Sequence, residues 1–364
     1  MSTPLRIGTR EEFALVREFL TGCGYADPAV VARAFRLEHL YEFSLGHRRT
    51  PVPDVPEDGL DLCLRLFLEG RTLPLEHVRQ VAGEGVAEAL GALGLLEPVD
   101  VSEGHVWCPV ALYPVTDVLL ASDRWTHADG TSRVAADDTV YAALVRNTNS
   151  FMALMLETPC ERFLEMCAGT GIAALHAARN FAATAYSYDI TDRCRIFEEF
   201  NAALNGLDNV VVGQGDLYDP AGELQFDRIV AHPPYVPVLR HRWIYHSGGN
   251  DGEKITRRII EGLPKHLAPG GTFICLAAAT DRSSGDLEQR LREMLGQSAD
   301  EFDVTVIVRS TVEPAVFAFR QLMLGTADRD DIKAWKDVFQ ELGVRRVVYG
   351  PIIIQRHAAP RKPF

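Results

Sequence analysis

From about residue 138 onward, the 364-residue chain alternates short apolar runs with amphipathic stretches, and this limits its fold more than any other feature. "RFLEMCA", "ATAYSYDI", "NVVVGQGD", "FDRIVAHPP" and "GTFICLAAA" have strand length and composition. Between them, "IAALHAARN", "RCRIFEEFNAALNG" and "KITRRIIEGLPKHL" carry helical periodicity, and "FDVTVIVRS" and "RRVVYGPIIIQRH" add strands at the end. Such alternation predicts an α/β domain, doubly wound around a mostly parallel sheet. Sheets of that kind bind ligands beyond the carboxyl ends of their strands, so chemistry is sought there.

Four successive strand ends carry suitable residues. The first, "LEMCAGTGIAAL", offers Glu165 and a glycine turn, Gly169 and Gly171, running into a helix. Glycines let a backbone approach a ligand closely, and a helix start presents free N–H groups. The Lys-Ser/Thr of a nucleotide P-loop is missing, while Gly169, Gly171 and Ala174 fit the loose dinucleotide pattern, so this turn alone does not name a cofactor. The second end places Asp189 to accept from both hydroxyls of a ribose, or to cap a helix with Thr191 and Asp192. At the third, Asp216 can accept from an adenine amino group while Leu217 covers the ring; a plain turn is the simpler reading. The fourth is His232-Pro233-Pro234-Tyr235. Two prolines lock φ and donate no hydrogen bond, so the strand stops there. A chain needing only a turn would use Gly, Asn or Asp.

Composition narrows the field. A net charge of −13 argues against holding long nucleic acid by charge alone. Seven scattered cysteines with no CxxC pair point to a reducing cytoplasm, not a zinc site or disulfide framework. No apolar run matches a membrane span or a signal peptide. Residues 1–115 read as a mainly helical N-terminal domain. Thr9 with Glu12 makes a capping box, Asp27-Pro28 opens a second helix, and a hairpin is expected around Ser102-Glu103-Gly104. Helices followed by a β-ribbon resemble a winged helix. The candidate recognition helix "GVAEALGALG" has no Arg or Lys for duplex DNA, so packing, dimerisation or substrate capping is expected instead.

Taken in order, "LEMCAGTG", "YDI", "GDLYD" and "AHPPYV" resemble the motifs of class I S-adenosylmethionine-dependent methyltransferases. The similarity is to the branch with an Asn-Pro-Pro-Tyr signature, which includes release-factor glutamine methyltransferases and several RNA and DNA amino methyltransferases. "SGGNDGEKITRRIIEGLPKHLAPGGTF" resembles the segment after that signature in the glutamine methyltransferases and their small-domain relatives. The resemblance covers roughly residues 140–280. It implies a Rossmann-like, seven-stranded domain over 116–364 and S-adenosylmethionine as cofactor. It implies N- or O-methylation of a small-molecule, peptide or protein acceptor by in-line displacement. RNA amino methylation and cofactor binding without catalysis are the alternatives. By the same resemblance the cofactor falls to Glu165, Cys167, Ala168, Gly169, Gly171, Asp189, Ile190, Asp216, Leu217 and His232. Catalysis falls to His232, Pro233 and Tyr235. Glu165 stands for the commoner Asp, Cys167 for the family's first glycine, and His232 for Asn.

The chemistry asks mainly for alignment of nucleophile, methyl and sulfur with water excluded, so no metal is expected. In the Asn-type relatives the Asn oxygen and the first proline's carbonyl accept two N–H groups, and the aromatic ring stacks on the flat acceptor. His232 can replace that oxygen as an acceptor when neutral, act as a general base, or be a spacer in an altered site. The loop "VPVLRHRWIYHSGGNDG" offers Arg242, Trp243, Tyr245 and His246 to an acceptor, or forms an exposed rim. Gly248-Gly249 reads as a hinge or a close-approach turn. A helical insertion near 311–343 acts as a lid or as extra packing.

Overall fold

The structure, a computed structural model, describes residues 3–43, 49, 52–100, 104–238, 243–323 and 328–363. The division at residue 115 stands as our proposal from sequence. By packing, the chain gathers into two compact units with a different membership.

The first unit comprises Met1–Ala153, Gly169–Asn180 and Thr191–Val212. It contains α1 (Arg10–Gly22), α2 (Pro28–Ala34), α3 (Gly59–Cys63), β1 (Leu73–Pro74), α4 (Leu75–Ala82), α5 (Glu84–Ala92), β2 (Glu97–Asp100), β3 (His105–Trp107), β4 (Val110–Val115), β5 (Val118–Asp123) and α6 (Arg146–Met152). The capping box forms: Glu12 N donates to Thr9 Oγ1 at 3.2 Å and Thr9 N to Glu12 Oε2 at 2.7 Å. β1, β3 and β2 make one antiparallel sheet in that order. The tip expected at Ser102 and Glu103 lies outside the described residues. β4 and β5 pair as a separate ribbon.

This unit also holds α7 (Ile172–Asn180) and α8 (Asp192–Asn205). Two asparagines one helical turn apart on α8 dock onto β5. Asn201 Oδ1 accepts from Ala121 N at 2.7 Å and its Nδ2 donates to Ala121 O at 3.2 Å. Asn205 repeats the pattern on Leu119, at 2.9 and 2.7 Å. A helix period of four residues thereby matches a strand period of two, and the ribbon's backbone groups are satisfied by side chains.

The second unit comprises Leu154–Ala168, Phe181–Ile190 and Gly213–Phe364. It carries β6 (Cys160–Met166), β7 (Ala182–Asp189), β9 (Phe226–Ala231), α9 (Lys254–His266), β10 (Leu267–Arg282), α10 (Leu287–Met294), β11 (Phe302–Val306), β12 (Ser310–Val312), α11 (Pro314–Met323), α12 (Arg329–Glu341) and β13 (Val344–Arg356); β8 (Val210–Gln214) ends in it. The sheet order is β11-β13-β10-β9-β6-β7-β8, with β12 on β13. β7, β6, β9 and β10 run parallel, and β13 runs antiparallel to β10, β11 and β12. The core under it includes Leu164, Met166, Ile229, Ile259, Leu263, Phe273 and Cys275. Ile259, Ile260 and Leu263 are the buried stripe of α9, spaced as an amphipathic helix requires. The expected insertion near 311–343 holds α11 and α12, which join around Ala318, Trp335 and Phe339. Among the described residues no helix is long and apolar enough to cross a membrane.

Candidate active site

Strand register assembles the site. Met166 pairs with Tyr188 and with Ala231, and Ala231 pairs with Cys275, so these four residues form one row across the sheet. One step further along their strands stand Cys167, Asp189 and His232. Residues far apart in sequence thus reach one edge because parallel strands end in line. Glu165 lies below that edge, opposite Ser187 and Val230, and is 3% exposed.

The turns beyond the row are tightly bent. Cys167 has φ 55°, a conformation that disfavours residues with a side chain; Gly169 at φ 59° and Gly171 at φ 77° adopt it freely. Ala168 N donates to Tyr188 O at 3.3 Å, and Gly215 N to Asp189 O at 2.9 Å. These bonds fix the backbone on both sides of the half-buried Asp189. The next residue, Ile190, is 49% exposed, an apolar surface beside a carboxylate.

Asp216 has a partner that the sequence did not reveal. Arg258, on α9, forks onto it: Nη1 donates to Oδ1 at 3.0 Å and Nη2 to Oδ2 at 2.9 Å. Leu217 follows at φ 56° and packs on the core. Tyr218 then anchors the turn, its ring stacked on His266 at 4.4 Å and 6°, its hydroxyl donating to Ile259 O at 2.9 Å.

At the proline elbow, the His232 and Tyr235 rings lie 5.7 Å apart, inclined by 29°. Burial pushes the imidazole of His232 down to about 4, so the ring is neutral at neutral pH. Pro233 is buried. Tyr235 also meets Tyr349 of β13, at 5.8 Å and 50°, a residue that sequence reading passed over.

The loop after the elbow is closed by backbone. Gly248 N donates to Val236 O at 2.9 Å, Val238 N to Gly249 O at 2.8 Å, and Lys254 N to Gly248 O at 2.9 Å. A Cβ on Gly252 would stand 2.4 Å from Tyr235 O, and one on Gly248 2.8 Å from Tyr235 C. Of the two readings open for Gly248-Gly249, close approach fits these contacts. Trp243 stacks on Tyr245 at 5.9 Å and 16° and meets His246 edge-on at 6.0 Å. Arg242 lies outside the described residues.

Beneath this loop sits a buried ionic network. Glu253, 1% exposed, accepts from Thr280 N at 2.8 Å, Thr280 Oγ1 at 2.5 Å and Arg290 Nη1 at 3.0 Å, with a second, shorter contact to Arg290 Nη2. Arg282 bridges to Asp251 at 2.6 Å and to Glu253 at 3.4 Å. The loop's end is thereby fastened to the end of β10.

A sequence model of the methyltransferase small domain family matches residues 133–304. The chain is 36% identical over 130 residues to the ribosomal protein uL3 glutamine methyltransferase of Bradyrhizobium diazoefficiens, which covers 32% of this chain and 41% of that protein. It is 31% identical over 122 residues to the release factor glutamine methyltransferase of Thermodesulfovibrio yellowstonii, 30% of this chain and 44% of that one. The chain spans less than half the length of these relatives. Among solved structures, the ribosomal protein L11 methylase of Lactobacillus delbrueckii subsp. bulgaricus is similar at 18% identity and a TM-score of 0.33, over 58% of this chain and 77% of that one. The residues matched by the family model, 133–304, include every strand end described above and the whole elbow.

Proposed function

We propose that this chain methylates the side-chain amide of a glutamine in a protein, with S-adenosylmethionine as methyl donor. The observation that carries this reading is a neutral, half-buried imidazole stacked near an aromatic ring at the double-proline elbow of a methyltransferase domain. A histidine titrating near 4 is a weak base, far from the pKa near the operating pH that general-base catalysis favours. It keeps a lone pair available throughout the neutral range. His232 therefore suits accepting and aiming an N–H, alongside the Pro233 carbonyl, better than removing a proton. Two relatives named as glutamine methyltransferases support an amide acceptor in a protein.

The residues at the strand ends fit the donor. Asp189 and Ile190 suit a ribose and an adjoining apolar ring, Asp216 an exocyclic amine, and the Cys167–Gly171 turn a close backbone approach. Glu165, Ala168 and Leu217 complete that set. When bound, S-adenosylmethionine supplies an electrophilic methyl on a sulfonium whose departure as a thioether needs no further activation. The protein's part is to orient the amide and exclude water. Trp243, Tyr245 and His246 are proposed to contact the acceptor, as is Arg242. The seven cysteines, none in a disulfide, fit a cytoplasmic location.

Asp189→Ala is expected to weaken S-adenosylhomocysteine binding by about 1.5–3 kcal/mol, the scale for hydrogen bonds to a charged group, with the fold intact. Calorimetry giving equal affinity for mutant and native protein would remove Asp189 from the site. The acceptor is tested with radiolabelled S-adenosylmethionine against release factor, ribosomal protein uL3 and total RNA. Label on a glutamine, located by mass spectrometry, is the expected result. Label on RNA alone would replace this reading with the RNA one.

A further inference from the structure

We propose that Cys23 and Cys63 form a reversible oxidation site, at which a hydroperoxide converts the two thiols into a disulfide. The site lies in the first unit, outside the residues proposed for donor and acceptor, and does not depend on the amide reading.

The two residues are 40 apart in sequence and meet in the fold. Cys23 follows the last turn of α1, and Cys63 closes α3. Their sulfurs stand 3.9 Å apart, a hydrogen-bond distance for two thiols. A disulfide needs about 2.05 Å, so the sulfurs must close by about 2 Å. Gly59, one turn before Cys63 on α3, lets the helices come this near. A Cβ there would stand 2.8 Å from Cys23 Cβ and 3.2 Å from Phe19 Cε2. Residues four apart share a helix face, so α3 presents a bare backbone and then a thiol to the end of α1.

The two sulfurs are unequal. Cys63 is buried, and burial pushes its thiol well up, so it stays protonated. Cys23 is half-buried. The Cys63 thiol beside it draws the Cys23 thiol below its ordinary value, opposed by partial burial and by Asp58, and helped by backbone groups at Tyr25 and Cys23. Cys160 and Cys167 are also half-buried, but burial pushes both of them up. A partly exposed thiol with a lowered pKa, next to a second thiol that can resolve it, is the arrangement of redox-sensitive cysteines. The plainer use of two touching cysteines is core packing.

The Cys23 sulfur attacks one peroxide oxygen and the O–O bond breaks. The departing oxygen takes the thiol proton and leaves as water or an alcohol, and Cys23 becomes a sulfenic acid. The Cys63 sulfur then attacks the Cys23 sulfur. The S–S bond forms, the S–O bond breaks, and the Cys63 proton leaves with the hydroxide as water. The sulfurs lose two electrons and the peroxide gains them. A small-molecule thiol reverses the change by exchange. Disulfides in a reducing compartment are of this transient kind.

The probe is hydrogen peroxide on the full chain. Free thiols are then blocked with N-ethylmaleimide, and the protein is digested without reduction. The expected result is joint loss of the Cys23 and Cys63 thiols before Cys160 or Cys167 reacts. It appears as a joined peptide pair, lighter by two hydrogens and released by dithiothreitol. In Cys63→Ser, Cys23 should accumulate as a sulfenic acid captured by dimedone; in Cys23→Ser, Cys63 should stay reduced. Both native cysteines still carrying maleimide after Cys160 has reacted would overturn the proposal and leave the contact as core packing. So would Cys23 advancing to the sulfinic acid while Cys63 keeps its thiol. A joined peptide that forms only when urea accompanies the peroxide would overturn it too, because the folded pair would then be unable to close. These three outcomes are read from the native chain, so they stand whether or not a serine variant folds.

Discussion

Replacing His232 by alanine is expected to lower turnover about 10²–10³-fold, the range for deleting one preorganised hydrogen-bonding group at a reacting centre. S-adenosylhomocysteine binding should persist, because the strand-end carboxylates are untouched. His232→Asn is the sharper variant. It restores a side-chain acceptor oxygen but supplies no strong base, so an orienting role predicts turnover within a few-fold of native. A general-base role predicts an asparagine variant as slow as the alanine one. The pH profile gives a third, independent reading. Burial lowers the His232 pKa from 6.5 to about 4, so the folded protein keeps its neutral, accepting ring well below neutrality. Turnover should be flat through the neutral range and fall only as pH drops through about 4. Stability moves in the same direction: between the unfolded and folded values the unfolded chain binds the proton first, so acidification weakens the fold across that window. A limb centred near 6.5 would show that the ring is not buried in the working protein. An alanine variant as fast as native would remove His232 from the chemistry altogether.

How far the sequence foretold this site depends on which forces are local. The double proline ended β9 by backbone chemistry alone, and the alternation of patterns placed Glu165, Asp189, Asp216 and His232 at successive strand ends. Register, a property of pairing, then brought Cys167, Asp189 and His232 to one edge, one step beyond the row of Met166, Tyr188 and Ala231. What stayed hidden was made by contacts across sequence. Arg258 looked like one more cation on the polar side of α9, and its partner Asp216 lies 42 residues earlier. Tyr349 sat inside "RRVVYGPIIIQRH", where an aromatic residue reads as sheet core; only the antiparallel return of β13 beside β10 brings it to Tyr235. Asn201 and Asn205 read as an ordinary polar face, yet they cap the β5 backbone. α10 was likewise absent from the sequence reading, although Asp286 caps its start by accepting from Gln289 N at 3.0 Å.

The largest effect on folding is expected at Glu253, which the sequence presented as a plain acidic residue before α9. Its carboxylate holds Arg290, 6% exposed, and approaches Arg282, 9% exposed. Taking one member from a buried ionic group leaves the others desolvated and uncompensated, a loss of about 3–5 kcal/mol. Glu253→Ala should therefore shift the urea midpoint sharply downward, since among the described residues Arg290 is left with Thr280, and Arg282 with Asp251 and Thr280. Replacing both ends with apolar groups, Glu253→Leu with Arg290→Met, should cost less than the alanine change alone, because no charge of that pair is then stranded. Glu253 also sits at the end of the loop that Gly248 and Gly252 press against Tyr235, so its loss should loosen the elbow. The alanine variant, assayed well below its melting temperature, should then show a higher acceptor KM with S-adenosylhomocysteine affinity little changed. A single variant as stable as native would mean that water reaches these side chains and that the network contributes no more than a surface pair.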